Sequence, residues 1–542
     1  MLAKVFSFGL LGLEAYPIEI EVDVSSGLPA VTLVGLADTA IRESKERVKS
    51  AIKNSGLQWP AERITVSLAP SDTKKEGACF DLAIALGILA ATEQLNVEKL
   101  KDYYILGELS LDGSLRPVRG ILPISLAIAK FYPDLQADKI KNIILPLQNA
   151  KEAAIVSDIS VWPMKTLRHT VEFLHNQQTV KPFKLDLESL FAQHTHYQVD
   201  FSEVKGQYLA KRAIEVAVSG GHNIAMIGPP GSGKTMLAKR IPTVMPDLTL
   251  EESLEVTKIH SAVGTLSIKE GIIGRRPFRN PHHTISDIAL VGGGSIPVPG
   301  EISLAHQGVL FLDELPEFHR DCLEALRQPL EDGCIRVCRI TKSFVFPASF
   351  MLVCAMNPCP CGYLTDPRKA CRCNTTKIAN YLSKISGPLW DRIDIHIEIP
   401  AVKYKELTDT HDAEPSIVIK ARIEKAAAIQ RGRFSAEGGS LPDRQAGASC
   451  AGGASALGRG GKEEGIFYNA QMNTKLIKKC CILNDEAKEL LKLAMTELGL
   501  SARAYDKILK VSRTIADLAG SETILAEHVS EAVQYRSLDR QL

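Results

Sequence analysis

Hydrophobic positions along this chain fall into short runs whose period changes from one stretch to the next. Between residue 1 and about residue 170, brief β-rich runs alternate with helical ones. "ITVSLAP" (64–70) alternates apolar and polar residues, the two-residue period of a half-buried strand. "FDLAIALGILAATEQL" (80–95) is apolar nearly all round and predicts a buried helix. "NIILPLQNAKEAAIV" predicts a strand and then a helix. Such alternation implies an α+β or α/β domain over 1–170. A polar stretch with His and Gln (171–200) reads as a connector, and a second α/β block spans 201–400. From about 415 to the end the period is helical, and 401–542 reads as a helical domain. It is interrupted by "SAEGGSLPDRQAGASCAGGASALGRGGKEEG" (435–465), which has almost no large apolar residue. A segment of that composition buries too little surface to offset its ordering entropy, so it is expected to be a disordered loop.

Composition changes this picture little. The 542 residues carry a formal net charge of +1, so any nucleic-acid surface must be local. The opening "MLAKVFSFGLLGLEAYPIEIEV" has the apolar run of a signal peptide, but Glu14 follows at once and no small-residue cleavage site does. A first strand or hairpin is expected there. No apolar run reaches the ~18 residues a membrane-crossing helix needs. Of the 12 cysteines, several stand singly in apolar segments (Cys79, Cys322, Cys354), as in a reducing, cytoplasmic setting.

The chemistry concentrates in the second block. "NIAMIGPPGSGKTMLAKRI" (223–241) joins an apolar strand to G-x-x-x-x-G-K-T and a following helix. Gly228, Pro229, Pro230, Gly231, Ser232 and Gly233 form a loop whose backbone N–H groups turn inward around phosphate oxygens. Lys234 supplies charge for the β- and γ-phosphates of ATP, and Thr235 a hydroxyl for Mg²⁺. "GVLFLDEL" (308–315) is the expected partner strand. Asp313 at its end would hold Mg²⁺ through water and Glu314 would act as general base. "SFMLVCAMN" (349–357) predicts another buried strand, ending in Asn357. That amide either holds the attacking water or γ-phosphate, or starts a turn before Pro358. In "GPLWDRIDIHIEIP" (387–400), Arg392 either reaches a neighbouring subunit's γ-phosphate or forms a simple ion pair with Asp391 or Asp394. "CIRVCRITKSFVFP" (334–347) alternates and reads as a basic hairpin carrying Arg336, Arg339 and Lys342.

These stretches together resemble the AAA+ ATPases of the magnesium-chelatase-like branch, most closely the ComM/YifB family. The likeness covers nearly the whole chain. It rests on "GPPGSGKT", "RPFRNPHHTISDIALVGGG", "PGEISLAHQGVLFLDE", "LRQPLEDG", "AMNPCPCG", "GPLWDRIDI" and "SARAYDKILKVSRTIADLAG". The resemblance implies that Asn357 is sensor 1, Arg392 the arginine finger and Arg503 sensor 2 in a C-terminal helical lid. It also implies a homo-hexameric ring that moves branched or single-stranded DNA during integration of transforming DNA. The basic hairpin then corresponds to one that points into the pore, with Arg339 at the place of a DNA-contacting lysine. A chelatase-like motor acting on a protein or tetrapyrrole partner shares every nucleotide residue and stays open. Residues 1–170 resemble the Lon-protease fold (ribosomal S5 domain 2-like), with Cys79 at the nucleophile position. The activating lysine of that family is replaced here by Leu122, so Cys79 is expected to be core packing and the domain proteolytically inactive.

Two features remain. His282 and His283 lack further ligands nearby and read as structural or as part of a pore insert rather than as a metal site. "NPCPCGYLTDPRKACRCN" (357–374) places an insert, 358–374, directly after Asn357. Its four cysteines, Cys359, Cys361, Cys371 and Cys373, are expected to close a structural Zn²⁺ site, with Arg368, Lys369 and Arg372 free to touch DNA or a neighbour.

Overall fold

A computed structural model describes residues 2–36, 38–71, 75, 77–130, 141–193, 197–294, 297–338, 343–366, 369–401, 413–436 and 468–536. Arg339, Lys342, Arg368 and nearly all of the 435–465 loop lie outside the described residues. The chain divides into two compact bodies. One comprises Met1–His194 with Ser253–Gly274 and Ser295–Val298; the other comprises Thr195–Glu252, Arg275–Gly294 and Pro299–Leu542.

The first body is built on a seven-stranded sheet. Its strands are β1 (Leu2–Leu11), β2 (Glu14–Ser25), β3 (Ala30–Val34), β4 (Arg63–Ala69), β5 (Tyr104–Ile105), β6 (Asn142–Pro146) and β7 (Ser160–Met164). They lie in the order β3-β4-β2-β1-β5-β6-β7. The apolar opening of the chain is an antiparallel hairpin, running from Leu2 opposite Asp23 to Leu11 opposite Glu14. Ile18, Ile20, Val22 and Val24 on β2 alternate inward, as do Ile64, Val66 and Leu68 on β4. The apolar run at 80–95 gives a helix, Asp81–Ala91, in which every residue is buried. Asp81 is kept there by Arg47, whose Nε donates to it over 2.9 Å, and by the Ser44 hydroxyl.

Two details differ from the sequence expectation. Within the polar stretch 171–200, a helix Leu187–Gln193 forms, and Leu190 is buried in the first body's core. Residues 253–274, counted by sequence with the second block, belong to the first body. There the Ser261 hydroxyl donates to buried Glu152 over 2.5 Å. That carboxylate also takes the Leu122 N–H over 2.8 Å, so it fills an acceptor role at the start of helix Ile121–Lys130.

The second body carries a five-stranded parallel sheet. Its strands are β8 (Ile224–Ile227), β9 (Phe278–Arg279), β10 (Val309–Leu312), β11 (Met351–Met356) and β12 (Ile395–Glu398), in the order β9-β10-β11-β8-β12. Residues of β8, β10 and β11 are buried throughout, because continuous apolar runs are what a sheet covered on both faces requires. A separate hairpin pairs Cys334–Cys338 with Ser343–Pro347. The C-terminal part is helical: Ser416–Ala436, Asp485–Leu498, Ala502–Ala519 and Ala526–Gln534. Arg513 and Arg433 both hold Asp517, a buried acid in the middle of this helical packing. No described helix is long and apolar enough to cross a membrane.

Candidate active site

Parallel strands put their carboxyl ends on one edge, and three of those ends carry the expected polar residues. The phosphate loop leaves β8, Asp313 and Glu314 leave β10, and Asn357 leaves β11. Gly231 and Gly233 have φ of +76° and +92°, values that suit a residue without Cβ. Gly228 is required by space as well: a Cβ there would lie 2.2 Å from the Ile399 carbonyl oxygen.

Lys234 opens helix Lys234–Val244 and is buried. Its ammonium donates to the carbonyls of Gly228 (2.6 Å) and Pro229 (3.0 Å) and to Oδ1 of Asn357 (3.2 Å). Burial lowers its pKa, and the carboxylates of Asp313 and Glu314 act against that. The Thr235 hydroxyl donates to Oδ2 of Asp313 over 2.8 Å. Hydrogen bonds therefore join the phosphate loop, the β10 acid and the β11 amide. The Thr235 and Asp313 oxygens are hard donors of the kind Mg²⁺ takes.

Glu314 stands differently from its neighbour. Its φ is +55°, a left-handed conformation that costs a non-glycine residue about 1 kcal/mol or more. Its N–H donates to Asp313 Oδ1 over 3.0 Å, and the turn leaves its side chain about half exposed. His283 Nδ1 lies 3.4 Å from Glu314 Oε2, and the His282 and His283 rings lie 4.1 Å apart. The histidine pair thus sits against the candidate base. Spacing along the chain gave no sign of this, since 30 residues separate His283 from Glu314.

Arg392 and Arg503 are not brought to this edge. Arg392 precedes β12, whose Ile395 is level with Ile224 at the amino end of β8. The phosphate loop begins at the other end of β8, one strand length of about 13 Å away at 3.3 Å per residue. The Arg392 guanidinium is held by Glu331 and the Pro388 carbonyl rather than by Asp391 or Asp394. Asp391 faces Arg503 at 3.4 Å, and Arg503 is largely exposed. Arg336 is an exposed residue of the hairpin, opposite Val345.

The four cysteines of the insert converge, with their sulfurs all within 4.8 Å of one another. Cys359–Cys361, Cys359–Cys371 and Cys361–Cys371 are 3.4, 3.7 and 3.5 Å apart. A tetrahedral site with Zn–S of about 2.3 Å has S–S edges of about 3.8 Å, so the donor set fits zinc. The backbone N–H groups of Tyr363 and Arg372 lower Cys361 to about 6, while desolvation and the neighbouring Cys361 and Cys359 sulfurs raise Cys371 and Cys373, so one thiolate at Cys361 is favoured over several. Gly362, at φ +82°, lies so close to the phosphate loop that a Cβ would meet Pro230 Cδ at 2.6 Å. In the first body, Cys79 is partly buried, and desolvation pushes its thiol up to about 12.

A parallel sheet with this phosphate loop, acid pair and amide defines a P-loop protein, and comparison with known proteins places it among the magnesium-chelatase-like ones. Residues 200–407 match the family model "Magnesium chelatase, subunit ChlI", 20–149 match "Subunit ChlI of Mg-chelatase", and 413–536 match "Magnesium chelatase, subunit ChlI C-terminal". Competence protein ComM of Haemophilus influenzae is 42% identical over 544 residues, covering 100% of this chain and 98% of that protein. YifB of Escherichia coli, itself uncharacterized, is 40% identical with the same coverage. The magnesium-chelatase 67 kDa subunit of Chlorobaculum parvum is 27% identical over 164 residues, 30% of this chain. The chain belongs to the ComM/YifB family.

Proposed function

We propose that this chain is an ATP-hydrolysing AAA+ ring motor acting on DNA, a branch-migration helicase that promotes integration of DNA during natural transformation. The observation that carries the ATPase reading is the hydrogen-bonded convergence of Lys234, Thr235, Asp313 and Asn357 at one sheet edge. The DNA reading leans on likeness along the whole chain to a protein named for competence.

In this reading the loop N–H groups and Lys234 hold the β- and γ-phosphates. Thr235 and Asp313 would hold Mg²⁺, which when bound neutralises charge on phosphate oxygens. Glu314 takes a proton from the attacking water as its oxygen adds to the γ-phosphorus and the bond to the bridging oxygen breaks. Asn357 orients that water. Arg392 stabilises the γ-phosphate of a neighbouring subunit in a homo-hexamer, and Arg503 serves as sensor 2 from the lid. Arg336, Arg339 and Lys342 contact DNA phosphates in the pore. Cys359, Cys361, Cys371 and Cys373 hold structural Zn²⁺ and brace the loop against the phosphate-binding turn. The domain 1–170 has the Lon-protease-like fold without protease activity, because Leu122 stands at the place of that family's activating lysine, and 401–542 forms the lid. The protein works in the cytoplasm.

A second reading, a chelatase-like remodelling ATPase with a protein or tetrapyrrole partner, is favoured by the short match to the 67 kDa chelatase subunit. ATP hydrolysis measured with single-stranded, duplex and branched DNA separates the two. Stimulation by branched or single-stranded DNA, falling steeply with salt, is the expected result. A rate unmoved by every DNA would favour the second reading.

A further inference from the structure

The turn that carries Arg392 and the helix that carries Arg503 are joined by a buried polar cluster. Asp394, two residues after Arg392, is 8% exposed, and His222 is fully buried. Lys507 Nζ meets Asp394 Oδ1 at 2.6 Å. His222 Nδ1 and the Asn223 N–H meet Asp394 Oδ2, each at 3.3 Å. Both carboxylate oxygens are thereby used. His222 Nε2 reaches the Thr514 hydroxyl at 2.9 Å. Gly220 leaves room for that contact, since a Cβ there would lie 2.4 Å from both His222 Nε2 and Thr514 Oγ1. The Asn223 side chain closes the arrangement from the sheet side. It donates to the Arg392 carbonyl over 3.2 Å and accepts the Leu352 N–H over 2.8 Å.

Arg503, Lys507 and Thr514 belong to one helix, Ala502–Ala519, with Lys510 between them. Their spacing of four, three and four residues puts them on one face. The first pairs with Asp391, the second with Asp394 and the third with His222, so this face follows the Arg392 turn and the residues packed against it. A buried ion pair stabilises little against well-packed apolar groups of the same size, but it fixes one geometry. Burial raises the Asp394 carboxyl, but Lys507 and His222 outweigh it and hold it below the ordinary carboxylate range, while burial lowers the Lys507 ammonium.

We infer that Asp394, Lys507 and His222 form a latch that positions Arg392 and Arg503 relative to one another, so that both arginines are presented to nucleotide in a set geometry. The inference rests on the reading of Arg392 and Arg503 given above. The latch lies at the amino ends of the strands, away from the phosphate loop. Its loss therefore acts on turnover and leaves nucleotide binding by Lys234 and Thr235 in place.

The test is the double variant Asp394→Asn, Lys507→Met in the full-length ring, which removes both charges and leaves neither buried alone. kcat is expected to fall at least about tenfold, while the dissociation constant for a fluorescent ATP analogue stays within about threefold. Lys507→Arg, which keeps the pair, is expected to retain most of the turnover. Should the double variant fail to assemble, Asp394→Glu, which keeps the charge and shifts its reach, is read for the same split. Arg392→Ala is measured beside them. If it hydrolyses ATP normally, the reading of Arg392 fails, and the latch with it. If it is inactive while the double variant turns over like the parent, the latch alone is wrong. Loss of nucleotide affinity in step with kcat also overturns the latch, because that is the mark of general structural damage.

Discussion

Lys234 and Glu314 occupy opposite kinds of environment, and that decides how substitution of each reads out. Lys234 is buried and satisfied by two loop carbonyls and Asn357, so its charge is fixed where phosphate oxygens are expected. Lys234→Ala is expected to lose hydrolysis by at least about a hundredfold together with ATP affinity, measured by turnover and by analogue binding. Glu314 is about half exposed and touches no loop group among the contacts described. Glu314→Gln is expected to keep binding within a few-fold and to lose about 10²–10⁴-fold in turnover, the range for removing a general base. Cys79 gives a prediction of another kind. Desolvation raises its thiol from an ordinary 9.0 to about 12, so at pH 8 it holds about a thousandfold less thiolate than a free cysteine. In native protein Cys79 should resist iodoacetamide at pH 8 and react after unfolding, as peptide mass analysis would record. Rapid native labelling would contradict its reading as packing. These residues were legible because their chemistry follows from type and spacing within a few positions. His283 was not: its partner Glu314 is reached only through the sheet.

Among elements, strands β8, β10 and β11 of the second body were the easiest to read. Four or more apolar residues in a row, stopped by a polar one, leave few alternatives to a buried parallel strand. The buried helix Asp81–Ala91 and the opening hairpin were legible for similar local reasons. What local pattern does not carry is which body an element joins. Residues 253–274 sit between the phosphate-loop helix and β9 in sequence, yet pack with the first body, and Ser261 meets Glu152 there. The polar stripe Arg503, Lys507, Lys510, Thr514 was not singled out in the sequence, because its partners Asp394 and His222 come from other elements. The cysteine insert belongs to this scale too. It has no apolar core of its own, so four thiolates around a metal would supply its order. Protein purified without chelator should contain about one zinc per chain. A strong chelator should open the 359–373 segment to proteolysis and, because Gly362 abuts Pro230, weaken ATP binding. An unchanged cleavage pattern after complete zinc removal would count against the site.

For the whole molecule, the decisive geometry is that Arg392 and the phosphate loop lie at opposite ends of the same parallel sheet. A side chain of about 7 Å cannot span a strand of about 13 Å, so Arg392 does not reach nucleotide bound to its own loop. If it acts in hydrolysis, it acts on a neighbour, and a closed ring gives every subunit such a neighbour. That makes a mixing experiment quantitative. Lys234→Ala subunits lack a working loop but keep Arg392, and Arg392→Ala subunits have the reverse defect. Each alone should be inactive. In an equal mixture, a site is whole when an Arg392→Ala subunit supplies the loop and a Lys234→Ala neighbour supplies the arginine, which holds at about a quarter of interfaces if assembly is random. Hydrolysis should therefore return to no more than about a quarter of the parent rate. The return should also grow with the time allowed for subunit exchange. No regained hydrolysis in rings shown by native mass to be mixed would remove Arg392 from the neighbour's site.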